Sequence, residues 1–62
     1  MIAPKLTLRQ REILNHVADG FSNKEIAGEL CISEATVKSH VASVLKVLNV
    51  PNRVKAAQAA FK

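Results

Sequence analysis

The sequence predicts an all-α fold, a four-helix bundle with only weak strand signals. Three observations predict it. Apolar residues recur at intervals of three and four instead of alternating. Thr7 with Gln10, and Ser22 with Glu25, have the three-residue spacing of a capping box, in which each side chain bonds the other's backbone amide. Chain-breaking residues, Gly20 and the run Asn49, Val50, Pro51 and Asn52, stand between the periodic stretches. The helices fall at about 7–19, 23–30, 34–48 and 53–60, within one domain spanning 1–62.

The first helix starts at Thr7. Ile13, Leu14, Val17 and Ala18 line one face of it, and Gly20 supplies the left-handed stop. The second begins at Ser22, where Phe21 and Ile26 form a hydrophobic staple across the cap. Ile26, Ala27 and Leu30 face inward. Gly28 sits in its middle at a cost of about 1 kcal/mol relative to alanine, and nothing in the sequence accounts for it.

Only Cys31 and Ile32 separate Leu30 from the next cap, Ser33. Ile32 and Val37 repeat the staple, and Thr36 lies three residues after Ser33. Helices joined by so short a turn cannot run antiparallel over their full length. They must cross steeply, so the second and third helices form a helix-turn-helix. Cys31 reads as a small buried hydrophobe.

The third helix carries Val37, Val41, Val44, Leu45 and Leu48 on one stripe. Opposite lie Ala35, Ser39, Ala42, Ser43 and Lys46, with Lys38 and His40 on the flanks. In the fourth helix Val54, Ala57 and Phe61 are spaced as a core face. Ala56, Ala59 and Ala60 leave short side chains where a second helix could approach closely.

Composition narrows the function. The 62 residues hold nine Lys plus Arg, five Asp plus Glu and one Cys. One Cys and two scattered His make neither an internal disulfide nor a plausible metal site. No apolar run approaches the roughly 20 residues of a membrane span. No nucleophile, base and orienting group stand together, and no glycine-rich phosphate loop is present, so no enzyme, cofactor or small-molecule ligand is expected. The charge is unevenly spread. Residues 1–34 contain four basic and five acidic residues, whereas residues 35–62 contain five basic residues and no acid. Such asymmetry points to a polyanionic partner. Only 3% of the chain is aromatic, which disfavours single-strand binding by base stacking.

A helix with a short-chained, basic outer face suits the DNA major groove, about 12 Å wide. There Ser can bond base edges, Ala can touch a thymine methyl, and Lys can reach guanine or phosphate. Free amides at the helix starts near Asn23 and Lys24, and near Ala35 and Thr36, are candidate phosphate anchors. Each residue also has an ordinary role: Lys24, Lys38 and Lys46 as solvated surface, His40 as a packed imidazole, Ser22 and Ser33 as caps. The coincidence on one face after a tight turn favours the DNA reading.

The blocks LTLRQREIL, GFSNKEIAGELCIS, ATVKSHVASVLKVLNV and NRVKAA resemble, in order and spacing, the LuxR/FixJ-type (NarL-type) helix-turn-helix. The resemblance runs from about Leu6 to Ala60. It implies a sequence-specific double-stranded DNA-binding domain of a bacterial transcription regulator, with the third helix in the major groove. Such a domain is typically the output end of a two-component response regulator or of a quorum-sensing regulator. It implies base contacts from Lys38, Ser39, Ala42 and Ser43, and backbone contacts from Asn23, Lys24, Thr36, His40 and Lys46. Arg53 matches a recurrent arginine that either binds DNA or braces the fourth helix. Expected partners are promoter DNA, a second copy joined through the fourth helix at Ala56, Ala59 and Ala60, and RNA polymerase, all in the bacterial cytoplasm. The chain departs from the pattern at four positions. Gln10 replaces Glu, Val47 replaces Lys or Arg and removes a phosphate contact, Asn49 replaces Gly, and Ala42 replaces a longer polar residue. Helix-turn-helix domains also serve as protein-docking modules, and Val47 points mildly that way. The promoter-reading domain of a sigma factor shares the architecture, but SNKEIA and TVKSH favour the LuxR pattern.

Overall fold

Four helices follow one another in a computed structural model that describes residues 6–60. They are α1 (Leu8–Ala18), α2 (Asn23–Leu30), α3 (Glu34–Leu48) and α4 (Arg53–Ala60). No strand occurs among the described residues.

Side-chain caps set every helix start. Thr7 and Gln10 exchange reciprocal bonds of 3.0 Å, so the capping box works with Gln in place of Glu. Ser22 and Glu25 do the same at 3.1 and 2.8 Å. The Ser33 hydroxyl oxygen accepts from the Thr36 amide at 3.1 Å. At α4 the Asn52 Oδ1 accepts from the Lys55 amide at 3.0 Å, a cap the sequence reading did not single out.

The first three helices share one kind of ending. A residue with positive φ turns the chain, and the next amide donates back across the last turn in the Schellman pattern. Gly20 (φ 89°) precedes the bond from Phe21 to the His16 carbonyl, and Asn49 (φ 57°) precedes that from Val50 to the Leu45 carbonyl. These are the stops expected from the sequence. The third is Cys31 (φ 58°), followed by the bond from Ile32 to the Ala27 carbonyl. Cys31 is exposed, not the buried hydrophobe expected. The short turn needs its left-handed residue at that position, at a cost of roughly 1–2 kcal/mol for a residue with a Cβ. Phe21, Ile32 and Val50, the residues after each stop, pack against the core.

The core consists of Ile13, Leu14 and Val17 from α1, Ile26 and Ala27 from α2, Val37 and Val44 from α3, and Ala56 from α4. Helix α3 packs against the other three helices, and α1 also lies against α4. Leu30, Val41, Leu45 and Leu48 close the edges of this core.

Helix α4 departs from expectation. Val54, expected in the core, is 63% exposed, while Ala56 is 1% exposed. Ala57 is half-buried as part of the packed face, and Phe61 lies outside the described residues. The helix is rotated so that Arg53, Ala56 and Ala57 form its inward stripe, at the spacing of helical neighbours. Ala56 is therefore part of this chain's own core and unavailable to a second copy. The exposed side instead includes Val54, Lys55, Gln58 and Ala59.

Candidate nucleic-acid interface

Helix α3 is fixed by its buried side. Val37 and Val44 are 0% and 2% exposed, so the helix cannot rotate without lifting both from the core. That register decides what faces outward. Lys38, Ser39, Ala42 and Lys46 are exposed, as are Ala35 and Thr36 at the helix start. Ser43 and His40 are half-buried at the margins of the face. Of the four expected base-reading residues, three are open and Ser43 stands partly withdrawn. The Thr36 amide, expected as a free phosphate anchor, instead donates to Ser33 Oγ at 3.1 Å, and the Thr36 hydroxyl is engaged with the Ser33 hydroxyl at 2.9 Å, so both are held at the first turn of α3.

Charge follows the same division. Glu34 is the last acid of the chain, in the first turn of α3, where a helix N-terminus favours it. Among the described residues the ion pair formed is Arg9 with Glu12 at 3.3 Å, on the exposed side of α1. Lys24, Lys38 and Lys46 enter no ion pair among those residues, and their charges stay available to an anionic partner.

The start of α2 supplies a second group of donors. Ser22 takes up the Glu25 amide with its side chain and the Ile26 amide with its carbonyl. The amides of Asn23 and Lys24, first in the helix, keep no acceptor among the described residues. Two orphan amides at a helix N-terminus favour a phosphate. Lys24 is exposed beside them, and Asn23 is half-buried.

Asn23 is held by a residue from the far end of the chain. Arg53 Nη1 donates to Asn23 Oδ1 at 2.8 Å, and Arg53 Nη2 donates to the Phe21 carbonyl at 2.9 Å. Arg53 thus braces α4 against the start of α2, one of the two roles left open by the sequence. A pair thirty residues apart leaves no local spacing signal; the match of Arg53 to a recurrent arginine of the resembled pattern was the signal that pointed to it.

Val47, where the resemblance expects Lys or Arg, is 37% exposed and adds no donor. Among the described residues no group of three or more His, Cys, Asp or Glu could hold a metal ion, and no helix is long and apolar enough to cross a membrane.

Comparison with known proteins gives the family of the chain. The family described as GerE, bacterial regulatory proteins of the luxR family, matches residues 4–60. The uncharacterized transcriptional regulatory protein YhcZ of Bacillus subtilis (strain 168) is 50% identical over 58 residues, covering 94% of this chain and 27% of that protein. The nitrate/nitrite response regulator protein NarP of Escherichia coli (strain K12) is 51% identical over 51 residues, covering 82% of this chain and 24% of that protein. This chain thus spans about a quarter of the length of the curated relatives it matches. Among solved structures, the DNA-binding domain of the response regulator ComA, crystallised with the anti-activator RapF, superposes with a TM-score of 0.89 at 36% identity, covering 94% of this chain and all of that one. The response regulator ChrA of a heme-sensing two-component system gives 0.86 at 42% identity, covering 97% of this chain and 30% of that one.

Proposed function

Because this chain belongs to the luxR family of bacterial regulatory proteins, we propose that it is a DNA-binding output domain that reads promoter sequence with the exposed face of α3. The family is one of transcription regulators and not an enzyme class. The observation that carries the reading is the two-sided α3: Val37 and Val44 lock one side into the core, and the other presents Lys38, Ser39 and Ala42 with no acid beyond Glu34.

In this reading Lys38, Ser39 and Ala42 meet base edges, with Ser43 at the margin. Lys38 supplies a charged donor for guanine, Ser39 a two-way hydroxyl, and Ala42 a methyl for thymine. The free amides of Asn23 and Lys24, the Lys24 and Lys46 ammonium groups, and the groups at Thr36 and His40 hold phosphates and set the register. In this reading the domain serves a response regulator acting in the bacterial cytoplasm. A second copy joins through the outward side of α4, at Val54, Ala59 and Ala60, and RNA polymerase is the further partner at the promoter.

Titration of labelled duplex at several salt concentrations tests the proposal. Binding should weaken with salt, each phosphate contact adding about 0.9 to the log–log slope. Lys38→Ala should cost about 1–3 kcal/mol on the preferred sequence and relax preference, while Lys24→Ala should weaken all sequences alike. Equal losses on preferred and random duplex from both variants would remove Lys38 from the base-reading set. Absence of salt-dependent binding to any duplex would favour the second reading, a protein-docking module. The ComA domain's crystallisation with an anti-activator and the 83% exposure of Leu8 support that alternative.

A further inference from the structure

We propose that Arg53 is a positioning residue for DNA-backbone binding, acting through Asn23; the proposal rests on the DNA reading above. A guanidinium has donors and no acceptor. The atom of the Asn23 amide that faces Arg53 Nη1 at 2.8 Å must therefore be the oxygen. Arg53 cannot swing away freely, because its other terminal nitrogen is held by the Phe21 carbonyl at 2.9 Å, just ahead of the Ser22 cap. One planar, two-pronged group thus fixes the amide orientation and leaves Asn23 Nδ2 turned away from it.

That nitrogen donates to no acceptor among the described residues. No buried side-chain nitrogen or oxygen among them lacks a partner, so Nδ2 is open to water. The same residue and the next carry the unbonded amides of Asn23 and Lys24 in the first turn of α2, and the Lys24 side chain is exposed. Without Arg53 the Asn23 amide could turn either edge outward, and its oxygen would repel a phosphate. With Arg53 in place the outward edge is always the donor. The guanidinium keeps its positive charge, and no carboxylate forms an ion pair with it among the described residues. Arg53 is also the first residue of α4, so the attachment of that helix and the arrangement of the phosphate-facing edge are one structural unit.

The decisive variant is Asn23→Asp. A carboxylate accepts from Arg53 as a charge-assisted bond, so the brace is kept or strengthened, but the outward donor becomes a negatively charged acceptor. On the full 62-residue chain the melting temperature should stay level or rise. Affinity for a short mixed-sequence duplex at low salt should fall by about tenfold or more, whatever the sequence. A merely structural role for the pair would move both readouts together. A double-mutant cycle separates positioning from direct contact. Arg53→Gln should weaken duplex binding in the unmodified chain and lose most of that effect in an Asn23→Ala background. If Arg53→Gln melts below the assay temperature, Arg53→Lys, which keeps the charge and loses the fork, takes its place in the cycle. Additive losses in the cycle, or an Asn23→Asp chain that binds duplex as the unmodified one does, would overturn the proposal alone. An unmodified chain that binds no duplex would overturn the DNA reading and this proposal together.

Discussion

Helices α3 and α4 are held in different ways. Helix α3 is anchored by volume: Val37 and Val44 fill the core, and half-buried Val41, Leu45 and Leu48 widen the contact. Helix α4 is anchored by closeness and polarity: Ala56 and Ala57 permit near approach, and Arg53 bonds across to α2. A surface that reads bases must be rigid, and large interlocking side chains supply that rigidity. On its open side α4 leaves Val54 exposed, where the proposed second copy would join. A fold of this size has stability on the order of 3–5 kcal/mol from its core, so small changes at either helix matter.

The contrast can be broken most severely at α3. Val37→Ala should cost about 2–3 kcal/mol by removing two fully buried methyl groups and leaving a cavity. Urea titration should show most of the chain's stability gone. At α4 the order of residue sizes reverses. Ala56→Leu should cost about 1–3 kcal/mol by overpacking, while Val54→Ser, on the open side, should change stability by less than about 0.5 kcal/mol. A tolerated Ala56→Leu would contradict the rotation of α4. Cys31→Gly should raise stability by about 1 kcal/mol, because glycine adopts positive φ without strain. Gly28→Ala should add about 0.5–1 kcal/mol by helix propensity, since a Cβ at Gly28 meets nothing within 4 Å. Thermal melts of both variants would check these gains.

The same contrast explains what could be read from the chain. The face of α3 was legible because bulky Val and Leu residues at helical spacing mark the buried side, and the short basic residues opposite then declare themselves. The starts of α1, α2 and α3 were legible because capping acts over three residues. In α4 the run of alanines carries little information about direction, so the single valine drew the core assignment to Val54. The true rotation is set by contacts with α1 and α3 and by a bond from Arg53 to Asn23, thirty residues away. The left-handed turn at Cys31 was hidden for a related reason: neither Gly nor Asn marks it, and only the length of the α2–α3 connection demands it. Lys38, Ser39 and Ala42 proved open and Ser43 partly closed, a distinction that spacing alone does not make.

Selection of binding sites from a random duplex pool, run with the unmodified chain and with Lys38→Ala, tests the central claim most directly. If the outer face of α3 reads bases, the unmodified chain enriches a defined half-site, and Lys38→Ala loses preference at one position of that half-site while keeping the rest. An unmodified chain that enriches no motif, or a Lys38→Ala chain that selects the same motif with undiminished preference at every position, would contradict it.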